Sequence, residues 1–168
     1  MPVELSSDLK QGSSYKRALR EDAEILMRLI ERENCELSIL LTSDLHMRRL
    51  NSYYRFRDQP TDVLAFVQME EGKPEGFGLA PGEYRPADSM LLGDVVISLE
   101  TAARQARALK LAVARRLRTL LVHGVLHLLG YDHEVRAEAA VMFEFQDRLE
   151  KALDEASRNA EQIRNRSR

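Results

Sequence analysis

Three of the four histidines in this 168-residue chain lie in one eleven-residue segment, HGVLHLLGYDH, from His123 to His133. Residues four apart share one face of an α-helix, so His123 and His127 can direct their imidazoles at a common point. Apolar positions continue upstream at Leu117, Leu120, Leu121 and Val122. This periodicity predicts a partly buried helix. Gly130 can end the helix in a left-handed conformation and return His133 to the same point.

Three converging imidazoles predict a metal site at His123, His127 and His133. Neutral imidazole is the commonest side-chain metal ligand, and three protein ligands with an open fourth position are typical of catalytic zinc. We therefore expect one divalent metal ion, with Zn²⁺ as the first choice. Imidazole also suits copper, iron and nickel, so the sequence leaves the metal open. The simplest alternative is a domain with three core histidines and no metal.

The same segment, with DVLAF at 62–66 and LLGDVVIS at 91–98, resembles the signature of the YbeY-type endoribonucleases, a bacterial ribosomal-RNA maturation family. The resemblance runs roughly from residue 37 to 153. It implies metal-dependent cleavage of single-stranded RNA, maturation of the 3′ end of small-subunit ribosomal RNA, and ribosome quality control. It also implies the ribosome or ribosomal proteins as partners.

Arg55 is the candidate catalytic residue. It aligns with the arginine of the family's LNxxYR segment, which the resemblance implies is important for activity. A guanidinium matches phosphate oxygens with two parallel hydrogen bonds and can stabilise the charge of the transition state. The alternative is an exposed arginine that interacts with the last carbonyls of a helix. Arg57 is the neighbour most easily confused with it.

Two acidic residues and two departures from the family's usual wording also bear on the resemblance. Asp132 can orient a ligand imidazole or cap the final helix, and the second role is the commoner one. Asp94 matches an acid in the family's LGDI segment, and we expect a structural or supporting role for it. Ala65 and Val67 stand where the family more often has serine and proline, which puts any role of that serine in doubt.

The spacing also echoes the HExxHxxGxxH motif of metzincin peptidases, in which the glutamate is the general base. Gly124 occupies that position here and cannot accept a proton. Water bound to zinc can reach a pKa of about 7 and supply hydroxide without a side-chain base. Alternatively, the metal polarises a phosphoryl oxygen while the 2′-hydroxyl of the RNA attacks. A metzincin-like peptidase and a non-catalytic, metal-stabilised RNA- or ribosome-binding module remain the rival hypotheses.

The distribution of charge favours an RNA substrate more than the formal net charge of -2 does. Six basic residues and no acidic residue lie between Glu100 and Asp132, and Arg48, Arg49, Arg55 and Arg57 form a second cluster. Such clusters are often solvated helix faces, but a phosphodiester substrate needs a positive approach.

Nothing in the sequence indicates a membrane or secretory protein. The chain has no run of 18 apolar residues and no basic-then-apolar leader, so we expect a cytoplasmic location and no membrane partner. The single cysteine, Cys35, cannot form an internal disulfide, which is typical of a reducing compartment. We expect it to be a structural residue near a helix end.

Hydrophobic periodicity and turn residues predict four strands and five helices. The predicted strands cover residues 3–5, 36–42, 62–68 and 91–98. The predicted helices cover residues 14–33, 44–54 after a Ser43 cap, 99–109 after a Ser98 cap, 113–129, and a last stretch after His133. A turn at 58–61 and a long exposed loop at 69–89 complete the chain, and His46 is expected to be an exposed side chain.

These elements predict an α+β single domain with a small mixed four-stranded sheet, packed by about five helices. The metal site lies on a central helix and the turn after it, in a zincin-like arrangement. We expect the domain to comprise residues 1–153. Residues 154–168 are polar and are expected to form a frayed tail.

Overall fold

A computed structural model describes residues 3–55, 61–67, 91–133 and 136–168, except for the side chain of Arg55. Its elements in chain order are β1 (Val3–Ser7), a 3₁₀ turn (Lys10–Ser14), α1 (Lys16–Leu29), β2 (Glu36–Thr42), α2 (Asp44–Arg55), β3 (Val63–Val67), β4 (Leu91–Ser98), α3 (Leu99–Leu109), α4 (Val113–Leu128) and α5 (Arg136–Arg166). The predicted loop at 69–89 and most of the predicted turn at 58–61 lie outside the described residues.

The four strands form one mixed sheet in the order β1-β2-β4-β3, which confirms the predicted fold class. β1, β2 and β4 run parallel, and β3 pairs antiparallel with β4. Parallel neighbours need a crossover connection, and α1 supplies it between β1 and β2. β3 therefore lies at one edge of the sheet.

The two faces of the sheet are covered unequally. Side chains alternate between faces along a strand, so Val63 and Ala65 of β3 join the main core, while Leu64 and Phe66 point the other way. The main core contains buried residues of α1, α3, α4 and α5. The other face carries α2, whose Met47 is fully buried with Leu64 and Val96 in a small second cluster.

Hydroxyl side chains begin two of the helices as predicted. The Ser43 hydroxyl accepts a hydrogen bond from the His46 amide at 3.2 Å, and the Ser98 hydroxyl accepts one from the Thr101 amide at 3.1 Å. Each bond satisfies a donor that a helix start would otherwise leave unpaired. Cys35 is buried just before β2, in agreement with a structural role.

The His46 side chain is 40% exposed, and it also has partners that the prediction did not include. Its Nδ1 atom lies 2.9 Å from the Thr42 hydroxyl and 3.3 Å from an Asp8 carboxylate oxygen. The Thr42 hydroxyl also donates to Asp8 at 2.7 Å. Asp8 follows β1, so sequence spacing around His46 gave no sign of this partner.

The polar C-terminal segment also differs from the prediction, because α5 continues as a helix to Arg166 instead of fraying after residue 153. Arg118 of α4 holds the first part of this segment against the other helices. Its guanidinium donates to both carboxylate oxygens of Asp22 on α1, at 2.9 and 3.0 Å. It also bonds Asp154 and donates to the Ser157 hydroxyl at 2.8 Å. The polar residues of the segment thus bind other helices, a role that their composition does not reveal.

Candidate metal centre

The C-terminal end of α4 turns as the sequence predicts. Gly130 has a φ of 93°, a conformation that favours glycine. The Gly130 amide donates to the His127 carbonyl at 3.0 Å, and the Tyr131 amide donates to the Leu126 carbonyl at 3.0 Å. These two bonds define a Schellman motif, which closes the helix and reverses the chain. The turn therefore brings His133 back towards the helix that carries the other two histidines.

The three imidazoles converge. One nitrogen from each of His123, His127 and His133 lies within 4.8 Å of the other two. The Nε2 atoms of His123 and His127 are 3.1 Å apart. The ring of His133 lies 5.4 and 5.2 Å from those two rings, measured between centroids. Three imidazole nitrogens at this spacing can hold a metal ion, and His133 leaves the cluster accessible because its side chain is 45% exposed.

The electrostatics of the cluster keep one ligand neutral. Burial, followed by the neighbouring rings of His123 and His133, lowers the pKa of His127 from 6.5 to about 4. A buried positive charge next to two further imidazoles is unfavourable because the site offers little solvation for it. A neutral imidazole is the form that binds a metal, so His127 is ready to act as a ligand at neutral pH.

Gln146 of α5 is a site residue that sequence reasoning missed. Its Oε1 atom lies 2.9 Å from His123 Nδ1, and the residue is only 9% exposed. A carbonyl oxygen can only accept, so His123 donates through Nδ1 and keeps the lone pair of Nε2 for the common point. The available signal was periodicity, because Gln146 interrupts the apolar stripe of Met142, Leu149 and Leu153.

Asp132 lies next to His133. Its Oδ1 atom accepts a hydrogen bond from the His133 amide at 2.7 Å and lies 3.5 Å from His133 Nδ1. The carboxylate lies beside the third imidazole, and its two expected roles stay predictions. α5 begins at Arg136, and residues 134–135 lie outside the described part of the chain.

Gly124 is a packing residue as well as a missing base. A Cβ atom placed there would lie 2.8 Å from Val95 Cγ1 and 3.3 Å from Val63 Cγ2. α4 therefore lies against the sheet too closely for any side chain at this position. A glutamate there would require α4, the strand or the Val95 side chain to shift, which disfavours a metzincin-like base.

Arg55 is the last residue of α2, and its side chain lies outside the described atoms. The ring of Tyr54, one residue earlier, lies 5.0 Å from the ring of Phe66 on β3. Gly93 of β4 lies close to both β3 and α4. A Cβ atom placed on Gly93 would lie 2.4 Å from the Phe66 carbonyl oxygen and 2.8 Å from the Leu128 side chain at the end of α4. The ends of α2 and α4 therefore meet the same part of the sheet.

Three further predicted positions lie on β3 and β4. Asp94 is half-buried on β4 and pairs with Phe66 and Ser38 in the sheet register. Ala65 is half-buried against the main core, and Val67 is exposed at the end of β3. Arg57 lies outside the described residues.

Comparison of the chain with known proteins identifies its family. The model of the family described as Endoribonuclease YbeY matches residues 6–154. The chain belongs to this family. Endoribonuclease YbeY of Anaeromyxobacter dehalogenans is 45% identical over 152 residues, which cover 90% of this chain and 72% of that protein. Endoribonuclease YbeY of Aquifex aeolicus is 42% identical over 135 residues, which cover 80% of this chain and 81% of that protein.

A solved structure shares this fold. The solution structure of a Thermotoga maritima protein matches with a TM-score of 0.61, covering 94% of this chain and 93% of that one, at 24% sequence identity. Within the described ranges, no helix has both the length and the apolar character that crossing a membrane requires.

Proposed function

We propose that this chain is a metal-dependent endoribonuclease that cleaves single-stranded RNA, with one divalent metal ion held by His123, His127 and His133. The observation that carries the proposal is the convergence of three imidazole nitrogens within 4.8 Å, in a member of the Endoribonuclease YbeY family. Zn²⁺ is the proposed metal, since three imidazoles with an open position match its catalytic sites.

Family membership supports a more specific role. Maturation of the 3′ end of small-subunit ribosomal RNA, together with ribosome quality control, is the function we propose in the cell. Ribosomal RNA is then the substrate, the ribosome or its proteins are the partners, and the cytoplasm is the location. The match over residues 6–154 supports a single catalytic domain, and α5 continues beyond the match as far as Arg166.

The three histidines, Gln146 and Arg55 have different proposed roles. A metal ion bound to three imidazoles would act as a Lewis acid towards a phosphate oxygen or a water molecule. Gln146 fixes the proton of His123 on Nδ1, so that Nε2 faces the common point. We assign Arg55 to the phosphate, where a guanidinium would balance the charge that develops on the non-bridging oxygens.

The test is cleavage of an end-labelled, single-stranded RNA by wild-type and His127→Ala proteins, purified identically and assayed for bound metal. We expect the wild type to contain about one metal ion per chain and to cut. The variant should lose both metal and cutting. Equal cutting by both proteins would show that the activity is a contaminant or lies elsewhere in the protein. If the wild type holds metal without cutting RNA, the peptidase and binding-module hypotheses become stronger, and a chelator-sensitive peptidase assay separates them.

A second pair of variants tests Arg55. Arg55→Lys should retain metal and lower turnover on saturating RNA by roughly a hundredfold, because an ammonium cannot form the paired hydrogen bonds of a guanidinium. Arg57→Lys is the matched control and should cut at close to the wild-type rate. Weaker RNA binding with unchanged turnover in Arg55→Lys would contradict the assignment and favour a binding role.

A further inference from the structure

The outer surface of α2 carries two exposed aromatic side chains. Tyr53 is 75% exposed and Tyr54 is 56% exposed. Their rings meet edge to face with centroids 4.8 Å apart, and Tyr54 also contacts Phe66 of β3 at 5.0 Å. We call Tyr53, Tyr54 and Phe66 the aromatic cluster. It presents ring surface to solvent at the end of the helix that also carries Arg55.

Packing of the fold does not account for this exposure. α2 is anchored by Met47 and Asn51, which are 0% and 3% exposed, and by the half-buried Leu50. Tyr53 adds little to that contact, since three-quarters of its surface remains in water. A large aromatic side chain in this position has its face available for a ligand.

The part of α2 that carries the two tyrosines is basic. Residues 45–54 contain no acidic side chain. Arg49 is exposed and lies one helical turn before Tyr53, on the same face. The one acid of α2, Asp44, is engaged at the other end of the helix, where its carboxylate accepts hydrogen bonds from Ser98 and Thr101 and pairs with Arg104. Arg49 therefore places a positive charge beside Tyr53, whereas the acid Asp94 pairs with Phe66 across the sheet.

The aromatic cluster and α4 lie on opposite faces of the sheet, next to the same pair of strands, β3 and β4. Tyr54 contacts Phe66, and the Phe66 carbonyl faces Gly93. The Leu128 side chain approaches Gly93 from α4, next to His127.

We infer that the aromatic cluster, with Arg49, is a binding subsite for single-stranded RNA, in which unpaired bases stack on Tyr53 and Tyr54 and Arg49 contacts a phosphate. Exposed aromatic rings beside cations are the usual platform for single strands, because every base has a face that stacks. A duplex keeps its bases stacked internally, so the subsite selects unpaired RNA. The inference rests on the proposed function for its ligand.

The chain contains no tryptophan, which allows a direct test of stacking. Tyr53→Trp introduces a single fluorescent reporter. Its tryptophan emission should be quenched on titration with a short single-stranded 2′-O-methyl RNA but not with the corresponding duplex. Ile163→Trp is the matched control, because Ile163 is 67% exposed on α5, and its emission should not change. Equal quenching at both positions, or none at Tyr53→Trp, would overturn the subsite.

A second test measures affinity and cleavage. Tyr53→Ala should bind the single-stranded RNA roughly tenfold more weakly at fixed salt, while its turnover at saturating RNA stays unchanged. Tyr53→Phe retains a ring and should bind like the wild type. Unchanged affinity in Tyr53→Ala would overturn the inference, as would a parallel loss of duplex binding.

These tests distinguish the subsite from the proposed function. If the wild type does not cut RNA but Tyr53→Trp is quenched by it, the endoribonuclease proposal fails and the subsite stands. If the wild type cuts RNA and Tyr53→Ala binds and cuts equally well, the subsite fails and the proposed function stands.

Discussion

The two ends of α4 are built in opposite ways. Near its start, Arg118 is 16% exposed and has all its partners in place, with Asp22 bound through two hydrogen bonds. Near its end, two half-buried imidazoles of the same helix face each other at 3.1 Å, with a third beside them. The first arrangement neutralises charge and links three helices. The second gathers three imidazoles that would repel one another if protonated and that could hold a metal ion. One helix thus carries both a stabilising end and a functional end.

The largest effect is expected at the Arg118 end. Arg118→Met leaves Asp22 buried without its partner, so the free energy of unfolding should fall by about 3–5 kcal/mol. Arg115→Met is the matched control, because Arg115 is 60% exposed and 3.6 Å from Asp154, and it should cost less than about 1 kcal/mol. Urea unfolding measures both. Similar losses in the two variants would show that burial does not distinguish these arginines.

The middle of α4 is expected to be intolerant of any side chain. Gly124→Ala places a methyl group against Val95, so we expect destabilisation of about 1–3 kcal/mol by thermal or urea unfolding. The same change with Val95→Ala, which removes both contacting methyl groups, should cost less than the two single changes added together. Strict additivity would mean that this contact does not limit the approach of α4 to the sheet.

At the functional end, Gln146→Leu should weaken metal binding by about 10–100-fold, because His123 loses the acceptor that fixes its proton on Nδ1. Competition with a chelating dye measures the affinity without reference to cleavage. Gln146→Glu keeps an acceptor and should bind metal at least as well as the leucine variant. If the leucine variant binds metal with wild-type affinity, the Gln146 side chain contributes only packing and its hydrogen bond to His123 does not affect metal binding.

The smallest effect concerns pH. In the metal-free protein the pKa of His127 is about 4, below its ordinary value of 6.5. Between these values the unfolded chain binds more protons than the folded one, so the free energy of unfolding should fall as the pH drops from about 6.5 to 4. We expect a contribution on the order of 1 kcal/mol, since the ring is only half-buried. His127→Gln should show a shallower pH dependence, and identical profiles would exclude this contribution.

Local features of the fold could be predicted from the sequence with good accuracy. The bounds of β2, β4 and α3 agree with the prediction, and so do the caps at Ser43 and Ser98. These features depend on periodicity and on side chains that bond their own helix starts, which are properties of short segments. The turn at Gly130 was predictable for the same reason.

Features that depend on distant partners could not be predicted. Asp22 and Arg118 are separated by 96 positions, and the polar segment after residue 153 gave no sign that Asp154 would join them. Gln146 resembles an ordinary polar residue until α5 is placed against His123. Gly124 indicated a missing base from sequence, whereas its contact with Val95 appears only once α4 lies on the sheet. The ligand assignments and Arg55 remain predictions.

The close approach of Gly124 to the sheet also has an evolutionary consequence. A single nucleotide change can turn a glycine codon into a glutamate codon, so on paper one mutation separates this helix from the peptidase motif. In this fold the intermediate would have to survive a carboxylate forced against Val95 and Val63 before it gained any new activity. The two motifs differ here by one residue, but the contacts of Gly124 with Val95 and Val63 would disfavour the glutamate variant unless the volume of those sheet residues were reduced first.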